Sequence, residues 1–196
     1  MAWSDLWRMG RTSGAEPRRA PVGLETDHAY LCVRSVAADG ERHLMQYAVA
    51  DDLGSVLLSV FVRSESPVGR PDAASRAAVA AGHALDSQGL AAAMRLCRGL
   101  RLTAFGAGLS RGLLPPDVAA SLAGLDCARE RFLKVARLQG LRLAPGEPAD
   151  LNEARRLVGL PPERSDDAAL RALALGGLCR WMREHAPLGE RRSFLG

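Results

Sequence analysis

Lysine is almost absent from this chain. Of its 26 basic residues one, Lys134, is a lysine and the rest are arginines. A guanidinium fork suits phosphate pairing better than an ammonium does, but a bias this complete points first to genome base composition. Long apolar runs are missing too, and nothing approaches the ~18–20 residues that cross a bilayer. The opening MAWSDLWRMGRTSG lacks the apolar core of a secretion signal. A cytoplasmic protein with no membrane role is therefore expected. Cysteine is scarce: Cys32, Cys97, Cys127 and Cys179 lie far apart with no C-x-x-C. That spacing excludes a compact disulfide framework and the usual zinc centres, and leaves buried, reduced thiols.

What is present fits one folded unit. Apolar residues make up 47% and charged ones 24% of 196 residues, the balance of a globular domain. At that length a chain buries roughly 70% of its unfolded surface and needs no metal to fold. Residues 1–27 read as a flexible tail, 28–185 as the domain and 186–196 as a second tail. In the first tail Pro17 and Pro21 discourage regular structure. Trp3 and Trp7 share one helical face with Leu6, a ridge suited to docking on this domain or on a protein partner. The net charge of +4 is uneven, because residues 94–142 hold nine basic and three acidic side chains, a balance of +6. Such a segment either attracts nucleic acid or forms a solvated helix face.

Three strands are expected first. Ala29–Ala37 is apolar and β-branched, and His43–Ala50 and Ser55–Arg63 flank a glycine-containing turn. Ala38-Asp39-Gly40-Glu41 joins the first two, so the chain opens as an antiparallel meander that leaves the sheet at Ser64–Pro71. Residues 72–98 are alanine-rich and helical, best over Leu85–Cys97, with Gly99 as the stop. Gly99–Leu114 then organises the rest: a short strand (Leu100–Phe105), a corner at Gly106 and Gly108, and a helix opening near Ser110. Glycine permits φ > 0 and close approach, and such corners face crevices in α/β proteins. Leu125–Gln139 is an amphipathic helix. Asp150-Leu-Asn-Glu153 is a capping box for a helix over Leu151–Val158. A last helix starts near Ser165–Asp167 and runs to about Glu184.

Taken together, these pieces resemble the ribonuclease H-like 3′–5′ exonucleases of the DEDDh type, the family of polymerase proofreading subunits. HLMQYAVADDLG and SVLLSVFVRSESP look like the family's second and third strands. LTAFGAGLSRGLL is similar to its L-V-A-H-N-A-x-F-D-x-x-F-L segment, ADLNEARRLVGLP to the helix before the last motif, and SDDAALRALALGGLCRWM to the final H-x-A-x-x-D-A helix. The resemblance covers roughly residues 29–184 and implies an α/β fold: a mixed sheet, antiparallel three-strand meander then parallel strands, flanked by helices.

The family's chemistry uses four carboxylates to hold two divalent metal ions, with a histidine as general base. Carried over, the strand-one D-x-E falls at Arg34 and Val36, the acid after the glycine corner at Ser110, the last-helix acid at Arg171 and the histidine at Asp166. Guanidiniums oppose a nearby cation by kilocalories even at an effective dielectric of about 20, and hard cations need oxygen ligands. The resemblance thus implies a catalytically inactive, exonuclease-like nucleic-acid-binding or protein-interaction module, with no catalytic residue, metal or cofactor. Arg34, Phe105, Arg111 and Arg171 are its candidate nucleic-acid contacts, since basic side chains alone give backbone affinity and Phe105 offers a stacking face. Arg34 and Arg171 also stand to pair with Asp166, Asp167 or Glu163.

Two alternatives remain. Asp39-Gly-Glu41 has literal D-x-E spacing and Asp166 and Asp167 are adjacent acids, so a shifted site would make an active Mg- or Mn-dependent exonuclease. Gly106-x-Gly108-x-x-x-Gly112 after a strand approaches a dinucleotide fingerprint. Asp126 stands at the right distance for its acid, although Ser121–Asp126 does not read as the strand that fingerprint needs.

Overall fold

The structure, a computed structural model, describes residues 28–38, 41–62, 84–97, 100–122 and 124–187. The tail with Trp3 and Trp7, the Asp39–Gly40 turn, the exit at Ser64–Pro71, the first part of the alanine-rich helix, the Gly99 stop and residues 188–196 lie outside the described residues.

The β-branched runs pair as their turns dictate. β1 (His28–Ala38), β2 (Glu41–Asp51) and β3 (Val56–Val62) form the antiparallel meander. β4 (Ala84–Leu85) lies parallel to β3, β5 (Arg101–Ala104) parallel to β1, and β6 (Gly124–Cys127) parallel to β5. The sheet order is β4-β3-β2-β1-β5-β6. The helices are α1 (Ser87–Met94, followed by a 3-10 turn), α2 (Ala107–Leu113), α3 (Pro116–Ser121), α4 (Ala128–Leu138), α5 (Leu151–Leu157) and α6 (Ala168–His185).

Strand alternation assigns the two faces. Ala29 and Leu31 of β1 pack with Tyr47, Val49, Val60, Leu90 and Met94 on the α1 side. Tyr30 faces α4, α5 and α6, with Phe132, Val135, Leu151, Leu175 and Leu178. Full burial of Phe132 and Leu178 contributes about 2 kcal/mol each. At Gly176 the α6 backbone comes so close to β1 that an added Cβ would stand 2.9 Å from Cδ2 of Tyr30. Only glycine fits that crossing. Ala48, Ala168 and Ala169 do the same work at the helix's start.

Three local expectations are corrected. Gly124–Cys127 is a strand, so α4 begins at Ala128 rather than Leu125: pairing to β5 (Leu102 opposite Leu125) claims residues that by pattern alone join the helix. The helix after the glycine corner opens at Ala107, ahead of Ser110, with Gly106 at φ 84° as its left-handed cap. The helix expected over Leu85–Cys97 begins at Ser87, because pairing with Val62 claims Leu85 for β4. Ala186, just past the end of α6, is buried.

Candidate functional site

A cleft of about 520 Å³ lies beyond the end of β5, along Leu31–Val36 of β1, and α2, α5 and α6 wall it. Its lining includes Arg34, Val36, Phe105, Ser110, Asp166 and Arg171. The five positions assigned by the family pattern and the aromatic candidate therefore meet in one place. Arg111 does not line it; the residue is exposed near the end of α2.

Their convergence follows from the sheet. Arg34 and Val36 are two apart on β1 and project to the same face, as does Cys32, which also lines the cleft. Opposite Arg34 in the register stands Gln46 of β2, 1% exposed. Its amide receives the N–H of Ala168 at 3.1 Å and donates to Asp167 Oδ1 at 3.3 Å. Asp167 in turn caps α6 by accepting the Ala169 N–H at 2.7 Å. The start of α6 is thus pinned to β2 next to Arg34, and Arg171 follows one turn later. Arg171 Nη1 stands 4.0 Å from Asp166 Oδ1, one of the pairings the sequence offered.

Asp150 also lines the cleft, although by pattern it was only a helix cap. It is that as well: its Oδ1 accepts the Glu153 N–H at 2.8 Å. The reciprocal half of the box is shifted by one residue, Glu153 accepting from the Ala149 N–H. Met45, Leu109 and Leu175 add apolar lining. The Cys32 thiol is pushed up to about 11, chiefly by burial, so it is protonated at neutral pH. Cys97 and Cys179 are buried free thiols, and Cys32 and Cys127 are half-buried free thiols.

The donor set does not fit a pair of divalent cations. At the four positions to which the resemblance assigns carboxylates, the cleft presents two guanidiniums, an isopropyl group and the Ser110 hydroxyl. Of its two carboxylates Asp150 is committed to a cap. Among the described residues no group of three or more His, Cys, Asp or Glu side chains converges for a metal ion.

Three of the nine basic side chains of residues 94–142 are engaged with other parts of the fold. Asp126 accepts from Arg101 Nε at 2.9 Å and from Arg131 Nη2 at 2.6 Å, and Arg129 donates to the Pro148 and Gly146 carbonyls. Lys134 and Arg137 remain exposed on α4. The same geometry answers the dinucleotide reading. β6 supplies the second parallel strand, but the Asp126 carboxylate is held by two arginines. Gly112 has nothing within 4 Å of an added Cβ, so no close helix–strand packing calls for a third glycine.

A second polar cluster escaped sequence reasoning. At the far end of α6, Tyr30 donates its hydroxyl hydrogen to Asp52, while Arg183 donates to the Tyr30 oxygen at 2.8 Å and to Asp52 at 2.5 Å. Burial raises the Asp52 carboxyl, but hydrogen bonds from Tyr30 and Arg183 overcome it and hold the group below its ordinary value. Partners this distant in sequence leave no local signature.

No family model matches the sequence, and no curated protein is similar to it. Among solved structures the chain is similar to the Neurospora crassa Pan2 catalytic unit (protease and nuclease domain), with a TM-score of 0.51 and 10% sequence identity over 91% of this chain. That likeness bears out the expected fold class, a ribonuclease H-like α/β mixed sheet with an antiparallel meander followed by parallel strands and flanked by helices. Identity this low carries the fold alone, and the chain spans 30% of that structure's length. No helix among the described residues is long and apolar enough to cross a membrane.

Proposed function

We propose that this domain is a catalytically inactive relative of the DEDDh-type exonucleases whose cleft binds a nucleic-acid backbone. The observation that carries the reading is the meeting of Arg34 and Arg171 in one cleft beside Phe105. They stand where resemblance puts two of the carboxylates that would hold metal. A guanidinium pairs with a phosphodiester oxygen without activating water, so such a cleft holds a strand and leaves it uncut. An active site rebuilt from displaced acids draws little support, because Asp167 is engaged in capping α6.

The test is incubation of the protein with labelled single-stranded DNA and RNA in Mg²⁺ or Mn²⁺. The expected result is retention that weakens as salt rises, with oligonucleotide length unchanged, and weaker retention for Arg34→Gln and Arg171→Gln. Trimming from the 3′ end would overturn the assignment of inactivity. Absence of retention at low salt would overturn the binding role and leave a protein partner as the alternative.

A further inference from the structure

Three aspartates stand at or beside the rim of the cleft, and they are not equivalent. Asp150 is committed to the start of α5 through the Glu153 N–H at 2.8 Å. Asp167 is committed to the start of α6 through the Ala169 N–H at 2.7 Å and to Gln46 at 3.3 Å. Asp166, just before α6, has a side chain 89% exposed, and its carboxylate approaches the Arg171 guanidinium at 4.0 Å. Arg171 is the more enclosed of the two, with 29% of its side chain exposed. Its position is fixed by the pinning of α6, whereas Asp166 is free of the capping duties that hold its neighbours.

We infer that Asp166 is an internal competitor for Arg171, a tethered anion that an incoming phosphate must displace, and so a residue that sets the affinity of the cleft. The inference rests on the reading that the cleft binds nucleic-acid backbone. At 4.0 Å the pair is an ion pair without a hydrogen bond, so the competition is electrostatic: a phosphate that settles on Arg171 is repelled by the Asp166 carboxylate and takes over the counter-ion role that carboxylate holds. The tethered group is always present, so it lowers apparent affinity for every ligand that uses Arg171.

The test is a double-mutant cycle on the full chain, with a labelled single-stranded oligothymidylate titrated against wild type, Asp166→Asn, Arg171→Gln and the double variant at one low salt concentration. Exposed pairs of this kind are worth little, so Asp166→Asn is expected to tighten binding by about threefold. That gain should vanish in the Arg171→Gln background. An equal gain in both backgrounds means general charge repulsion and overturns the competitor role while the binding reading stands. No change, or weaker binding, for Asp166→Asn likewise overturns it. Failure of all four proteins to bind overturns the binding reading itself, and the inference with it.

Discussion

Replacing Gly176 by alanine tests the packing of α6 on the sheet. In a helix interior alanine is favoured over glycine by about 1 kcal/mol, so without tertiary contact the change would stabilise the protein. At Gly176, however, the new Cβ meets Tyr30 Cδ2 at 2.9 Å and Cε2 at 3.0 Å. The ring cannot swing away, because Tyr30 is 2% exposed and its hydroxyl is held by Asp52 and Arg183. Forcing a methyl into such a contact costs about 1–3 kcal/mol, which leaves a net loss of about 1 kcal/mol. With a slope of about 2 kcal/mol per molar, the urea midpoint falls by about 0.5 M. Gly108 supplies the control. It is also helical, but an added Cβ has nothing within 4 Å, so Gly108→Ala should raise the midpoint. Far-UV circular dichroism during urea titration reads both variants. If Gly176→Ala stabilises the protein as Gly108→Ala does, the close crossing of α6 over β1 is wrong.

Two further outcomes follow from buried polar groups. Arg155, 9% exposed, donates from Nε to Pro161 O at 2.8 Å and from Nη1 to Ala174 O at 2.5 Å. Arg155→Met should cost about 1.5–3 kcal/mol in thermal or urea unfolding, and Arg155→Lys should recover little, since one ammonium cannot span both carbonyls. The folded Asp52 carboxyl sits below its ordinary value, so on acidification the unfolded chain takes up that proton first. The stability it contributes is full at neutral pH and is lost as pH falls below about 4, through the ordinary carboxylate range toward the lower folded value. Urea midpoints measured against pH should therefore fall less steeply on the acid side for Asp52→Asn; parallel curves would refute the role of the cluster.

The sequence made the meander legible because alternation and turn chemistry act over a few residues. It also made the cleft legible in outline: Arg34 and Val36 share a strand face by parity, and Asp150-x-x-Glu153 marks a helix start by local hydrogen bonding. β6 was hidden because Gly-Leu-Asp-Cys has no strand pattern of its own and is extended only through pairing with β5. α3 was hidden because its six residues are too short to carry a helical repeat of apolar positions. The clusters around Asp52 and Asp126, and the role of Gln46 in seating α6, join residues brought together only by the complete fold. Arg155 belongs with them, since its guanidinium lies beside Gly177, where an added Cβ would stand 3.1 Å from Nη1.

α6 runs from the mouth of the cleft to the opposite end of the domain, its 18 residues forming a rod of about 27 Å. It is clamped at three heights: Gln46 at its head, the Tyr30 ring at mid-length, and Asp52 near its foot. A beam fastened so often neither slides nor tilts cheaply. Arg171 therefore sits on a wall already in place, and any molecule that entered the cleft would have to be met by side-chain rotation rather than by movement of the helix.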